Sequence, residues 1–98
     1  MLLGKVTGTV VASAKDERLL DFKFLVVENL TPDAKPSSGY VVAVDAVGAG
    51  VGEVVLYATG SSARQTVRTD KRPTDATIVA IVDTVTIGRN TTYEKSSG

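Results

Sequence analysis

The stretch Leu2-Leu3-Gly4-Lys5-Val6-Thr7-Gly8-Thr9-Val10-Val11-Ala12-Ser13 decides the fold class. Its even positions (Leu2, Gly4, Val6, Gly8, Val10, Ala12) are apolar and small, whereas Lys5, Thr7, Thr9 and Ser13 are polar. Alternation of period two is the pattern of a strand with one buried face. Glycine at positions 4 and 8 of that face points to tight curvature, as in a small barrel.

Working outward, Lys15-Asp16-Glu17-Arg18 reads as a solvated hairpin tip, and Phe22–Leu30 as a second strand. Thr31–Gly39 carries Pro32, Pro36 and Gly39 and reads as a loop. Three further apolar runs follow, Tyr40–Val47, Glu53–Thr59 and Ala76–Ile87, rich in Val, Thr and Ile. One short helix is expected over Gly60–Thr66, capped by Ser61 or Ser62. Asp70-Lys71-Arg72-Pro73-Thr74-Asp75 breaks the chain before the last strand. Five strands and one short helix, without the spacing of βαβ units, predict an all-β, five-stranded, OB-like Greek-key barrel over residues 1–88. The polar residues 89–98 are expected to form a mobile tail.

Two of these runs are apolar on both faces. In Tyr40–Val47 the sets are Tyr40, Val42, Val44 and Ala46 against Val41, Ala43 and Val47, with Asp45 the exception. In Ala76–Ile87, Ile78, Ala80 and Val82 lie opposite Val79, Ile81 and Val85. A strand buried on one face needs one apolar set. The simplest cover for the second is a neighbouring subunit; the alternative is helix or loop from the same chain.

Composition narrows the function. The chain has 98 residues, one domain's worth, with eleven basic and eleven acidic residues and neither Cys nor His. Disulfides are therefore closed as a source of stability, zinc sites are poor, and oligomerisation is the route left open. The most useful acid–base group and the most reactive nucleophile are both missing, which argues against an enzyme. Balanced charge argues against nucleic acid or an anionic membrane as partner. No apolar run is long enough to span a bilayer and no signal peptide is visible, so a cytoplasmic protein is expected.

The most unusual segment is Asp45-Ala46-Val47-Gly48-Ala49-Gly50-Val51-Gly52-Glu53. Three glycines at spacing two permit a phosphate cradle, close backbone approach between subunits or around a central opening, or a tight connection between strands. The cradle lacks its usual context: no helix starts directly after it and no Gly-Lys-Ser/Thr follows. Gly60-Ser61-Ser62-Ala63-Arg64 is the second candidate, a capped turn with a nearby cation that either holds an anion or is structural. Single-stranded nucleic acid is the alternative ligand for an OB-like barrel. The aromatics Phe22, Phe24, Tyr40 and Tyr57 sit in strand patterns, not on a basic groove.

Taken together, the glycine segment through Leu56, the Gly60–Arg64 segment, Leu3-Gly4-Lys5-Val6-Thr7-Gly8-Thr9-Val10-Val11-Ala12, Leu19–Leu30, and Pro73 with Asp75-Ala76 and Ile78–Asp83 closely resemble the vertex proteins of bacterial microcompartments. These are the pentameric shell proteins of the ethanolamine-utilisation and carboxysome type. The resemblance covers nearly the whole chain. It implies a non-enzymatic homopentamer, without cofactor or metal, that caps the vertices of a polyhedral shell beside hexagonal shell proteins and encloses metabolic enzymes. It also implies an inter-subunit or pore-proximal place for Asp45, Gly48, Ala49, Gly50, Gly52, Glu53, Ser61, Ser62 and Arg64. Asp21 stands before Phe22 where the family often has glycine.

Overall fold

A computed structural model describes residues 1–13, 15–64 and 75–95, with Ser61 and Ser62 described by their backbone alone. Seven strands are present among them: β1 (Leu2–Val10), β2 (Phe24–Leu30), β3 (Pro36–Asp45), β4 (Val54–Thr59), β5 (Ala76–Ile81), β6 (Thr84–Ile87) and β7 (Asn90–Glu94). The first five close into a barrel in the order β1-β2-β3-β5-β4, and β6 and β7 form a separate hairpin. The pairing of β3 with β5 is parallel and closes the barrel; Val44 meets Thr77 and Asp45 meets Ile78. The expected five-stranded barrel is the fold.

Val6, Leu25, Val27, Ala43, Val55, Tyr57 and Ile78 fill the interior, each at most 2% exposed. Gly4 is where β1 passes closest to its neighbours: a Cβ there would lie 2.3 Å from Val27 Cγ1 and 3.0 Å from the Glu28 carbonyl oxygen. Gly8 is different, because a Cβ would meet only Val26 Cβ at 4.0 Å. Thr7 forms a bulge against β2, where the register slips between Val6 and Gly8. A bulge bends and twists a strand, so curvature in β1 comes from Gly4 and the bulge together. The buried Tyr57 hydroxyl donates to Asn29 Oδ1, which satisfies its polar end inside the barrel wall.

Element boundaries depart from the sequence expectation in three places. Pro36–Gly39, expected as loop, begins β3, with Leu30 facing Pro36 beyond an irregularity in the ladder. The run Ala76–Ile87 divides at Val82–Asp83: the Val82 N–H still donates to the Val54 carbonyl, extending the β4–β5 ladder by one residue, and the chain leaves the barrel at Asp83 to enter β6. The expected mobile tail contains β7, and Lys95 returns to the barrel through its side chain and through its N–H to the Asp83 carbonyl. Between β1 and β2, the charged tip forms a 3-10 turn over Glu17–Leu19, capped by the Asp16 carboxylate on Arg18 N–H at 2.9 Å. The Arg18 guanidinium, bound to the same carboxylate, pulls the Asp16 pKa down to about 2. The break at residues 70–74, including Pro73, and the end of the expected helix, Gln65 and Thr66, lie outside the described residues.

The second apolar faces are covered unequally. On β4, Val54 points opposite to the core residue Val55 and is still only 2% exposed; together with Lys95 and Tyr93 it lines a cavity beneath the hairpin. The chain's own β6–β7 hairpin supplies that cover. On β3, Tyr40 and Val42 stay 65% and 52% exposed.

Candidate functional site

Three conditions shape the glycine segment. Asp45 ends β3 with its side chain 2% exposed, and its Oδ1 accepts from the N–H groups of Val47 (3.0 Å) and Gly48 (3.1 Å). This is an Asx turn, in which a carboxylate substitutes for a backbone carbonyl and starts the bend. Lys23 then locks it from β2's side: its Nζ lies 3.6 Å from Asp45 Oδ2 and donates to the Ala49 carbonyl at 3.0 Å. At the far end, Glu53 Oε1 accepts from Gly50 N–H at 2.7 Å, and Gly52 N–H donates to the Val6 carbonyl at 2.8 Å.

The glycines serve different ends. Gly48 and Gly52 have φ of 80° and 95°, a backbone region that strongly favours glycine. Gly50 is not in that region, and a Cβ there would meet only Glu53 Oε1 at an ordinary 3.6 Å. Its own fold therefore does not require glycine at position 50. Ala49 is fully buried in the core cluster, while Val47 and Val51 are 40% and 61% exposed.

This arrangement bears on the phosphate-cradle reading. A cradle needs free, convergent N–H groups. Here the N–H groups of Val47, Gly48, Gly50 and Gly52 all donate within the chain, two of them to one carboxylate and a third to another. The loop offers an anion no free donors at these positions and places two negative charges beside it. Of the four strand aromatics, Phe22 and Tyr57 are buried, Phe24 is half-buried with the Lys15 Nζ 4.8 Å from its ring centroid, and the exposed Tyr40 donates its hydroxyl to Glu28 Oε2 at 3.2 Å.

Gly60–Arg64 forms a 3-10 turn. Its Ala63 is fully buried, and the Ala63 carbonyl accepts from the buried Thr77 hydroxyl at 2.6 Å. Gly60, with φ of 62°, donates its N–H to the Asp75 carbonyl at 2.9 Å. Arg64 is exposed. The two sequence segments meet through β5: the loop joins it where Ala46 N–H donates to Ile78, and the turn joins it at the adjacent Thr77. Sequence reasoning singled out both segments but missed Lys23 and Lys95, the cations that hold the loop from two sides. Neither has a local signal, since each reaches the loop from a distant part of the chain. The Asx turn was legible in Asp45 standing three residues before Gly48.

Lys95 Nζ binds Glu53 Oε2 at 2.9 Å and fastens the hairpin to the loop. The Lys95 ammonium, and after it the Gly50 N–H, hold the Glu53 carboxyl below its ordinary value of 4.5. A carboxyl depressed in the folded state contributes stability above its unfolded pKa and loses it as pH falls through the folded one. Lys95 is raised above 10.5 by the same contact, so its contribution is complete below that pH and is lost above it. The tether is expected to be tightest between about pH 5 and pH 10. Amide hydrogen exchange in β7 should quicken below pH 4.5 relative to the intrinsic rate, and Glu53→Gln should abolish that step; an unchanged step in the variant assigns it elsewhere.

Among the described residues no group of three or more Cys, His, Asp or Glu is placed to hold a metal, and no helix is long and apolar enough to cross a membrane. Residues 1–83 match the family model described as ethanolamine utilisation protein EutN/carboxysome. The carboxysome shell vertex protein CcmL of Gloeobacter violaceus is 42% identical over 95 residues, covering 97% of this chain and 95% of that protein. Its solved structure superposes with a TM-score of 0.92 over 98% of this chain and 99% of that one. The bacterial microcompartment shell vertex protein GrpN of Rhodospirillum rubrum is 52% identical over 85 residues, 87% of this chain and 96% of that protein. A structure described as the GrpN pentameric microcompartment shell protein superposes with a TM-score of 0.81, covering 89% of this chain and 99% of that one.

Proposed function

This chain belongs to the ethanolamine utilisation EutN/carboxysome family, and from that premise we propose that it is a non-catalytic shell protein whose five copies form a ring capping the vertices of a bacterial microcompartment. The single observation that carries the reading is its likeness, over nearly its full length, to proteins named as shell vertex proteins, one of them solved as a pentamer. The physics of the subunit supports it. A 98-residue barrel without disulfides leaves apolar side chains exposed on β3, the condition that association relieves.

The neighbours of such a ring are hexagonal shell proteins, and the enclosed volume holds metabolic enzymes. The glycine loop and the Gly60–Arg64 turn lie at or near the junction between subunits. Asp45, Ala49 and Glu53 act from within, by fixing the loop's path. Gly48, Gly50 and Gly52 keep its outer surface bare, and Ser61, Ser62 and Arg64 flank it.

Light scattering tests the reading: the expected mass is about 51 kDa, five times the 10.2 kDa chain, and a clean monomer at high concentration overturns it. Gly50→Val and Arg64→Ala are each expected to lower the pentamer fraction severalfold while shifting the thermal midpoint of the isolated chain by less than roughly 3 °C. A variant that remains fully assembled removes its position from the junction.

A further inference from the structure

We infer that the β6–β7 hairpin opens and closes on the folded barrel as one unit, and that its closure tightens the far half of the glycine loop through Glu53. The device belongs to the single subunit and holds for any number of copies in an assembly.

The hairpin is built to separate. Every residue of β6 and β7 is exposed or partly exposed. The two strands are joined to each other: Thr84 faces Glu94, Val85 faces Tyr93, and the Lys95 N–H closes the base by donating to the Asp83 carbonyl at 2.8 Å. Against the barrel the fit is loose. A groove of about 590 Å³ and a second cavity of about 430 Å³ lie between hairpin and barrel, whereas a well-packed interior holds few voids larger than a water molecule. Polar latches reach across instead. The Thr92 hydroxyl donates to the Pro32 carbonyl at 2.8 Å, and Lys95 Nζ binds Glu53 Oε2 at 2.9 Å. Asp83 is exposed and follows the bond from Val82 N–H to Val54, which places the pivot there. An element that buries little apolar surface opens at a lower free energy than the whole fold. A two-stranded hairpin is marginal by itself, so its amides exchange once it leaves the barrel.

Glu53 carries the movement to the loop. Its two carboxylate oxygens are divided between two partners: Oε2 takes Lys95, and Oε1 accepts from the Gly50 N–H at 2.7 Å. Lys95 on one oxygen fixes the plane of the carboxylate and so presents the other to Gly50. When the hairpin leaves, the carboxylate, already 25% exposed, turns toward solvent and the Gly50 bond is lost with it. The near half of the loop is held separately. Val47 and Gly48 donate to Asp45, which Lys23 holds from β2's side. Such coupling is reciprocal, so a tightened loop also favours the closed hairpin.

Amide hydrogen exchange near pH 7, read residue by residue by NMR on the full chain in its native assembly, tests both halves of the inference. The β7 amides should exchange through an opening that leaves the Leu25 and Val27 amides protected. Thr92→Val removes the latch to Pro32 and touches neither Glu53 nor the loop. It should quicken exchange in β7 and at Gly50 by the same factor, roughly fivefold, and leave Val47 and Gly48 unchanged. Lys95→Met should quicken the same amides about twofold to fivefold and serves as the second variant if Thr92→Val loses its fold. Exchange in β7 at the rate of the Leu25 and Val27 amides overturns the separate opening. A Thr92→Val chain with quickened β7 and an unchanged Gly50 overturns the coupling, as does one in which Val47 and Gly48 quicken alongside. The mass of the assembly, measured on the same samples, reports on the pentamer reading independently.

Discussion

Gly4→Ala is expected to destabilise the isolated subunit by about 2–3 kcal/mol and to lower its thermal midpoint by roughly 10–20 °C. The added methyl would stand 2.3 Å from Val27 Cγ1, 3.0 Å from the Glu28 carbonyl oxygen and 3.4 Å from Tyr57 Cε1. Val27 and Tyr57 are both core residues, so the side chains in the way cannot swing out to solvent. The Glu28 oxygen belongs to the backbone of the paired strand, so relief requires β1 and β2 to move apart. The stiffer unfolded chain that alanine brings offsets less than about 1 kcal/mol. Gly8→Ala is the control: the same substitution on the same strand, with its methyl 4.0 Å from the nearest atom, should be near neutral. Combining Gly4→Ala with Val27→Ala should cost less than the sum of the two, since the second change removes the obstructing methyl. Equal melting of the Gly4→Ala and Gly8→Ala chains would refute this account of β1.

Asp45→Ala is expected to cost a similar amount, about 2–3 kcal/mol, and to abolish the ring. The carboxylate is 2% exposed and accepts from two backbone N–H groups at 3.0 and 3.1 Å, with the Lys23 ammonium 3.6 Å away. Hydrogen bonds to a charged group contribute roughly 1.5–3 kcal/mol each, and a donor left unmade in a partly buried site adds a penalty. Removing an unfavourably desolvated charge returns part of that, so the total stays below the simple sum. Asp45→Asn keeps an acceptor in the same place and should cost about 1 kcal/mol. The functional loss should exceed the stability loss, because the turn that aims residues 46–53 is set by this one side chain. Thermal melts and light scattering on both variants decide it: an Asp45→Ala chain that melts and assembles like Asp45→Asn removes the turn from the mechanism.

Much of the barrel was legible because β1 carries period-two alternation, although the bulge at Thr7 turns Gly8 and Val10 from the expected inward face to the outward one, and because glycines and prolines bracket most of the apolar runs. The break inside Ala76–Ile87 was not, since Val82 and Val85 keep the run apolar across it and Asp83, a turn-favouring residue, stands there without glycine or proline. The hairpin had a local signal that went unread: Gly88-Arg89 separates Ile87 from Asn90, and Gly88 has φ of 62°, as the first central residue of a type II′ turn does. Composition also misled at Pro36–Gly39, where exposed polar residues lie on a strand that pairs beyond the core. For the site, the glycine segment announced itself, but its purpose did not. Which amides were free depended on carboxylates at Asp45 and Glu53, whose reach only the folded chain displays. The second apolar face of β3 was read as needing cover and stays exposed on the subunit at Tyr40 and Val42, whereas that of β4, which the sequence did not single out, is covered in part by residues taken for a tail.

The parallel contact between β3 and β5 imposes an order in time. β1, β2 and β3 are consecutive and antiparallel, so they can form a sheet as soon as residue 45 has been synthesised. β3 has no partner on its outer side until β5 arrives, and β4, which precedes β5, pairs with β1 at the opposite edge. A nascent chain stopped before residue 76 is therefore an open sheet with bare main-chain groups along two borders, and strand edges of that kind recruit other chains. Closure depends on contacts between distant parts of the sequence, the slow kind to form. Premature termination or slow synthesis between residues 45 and 76 should consequently yield aggregate in place of monomer, whatever the stability of the finished barrel.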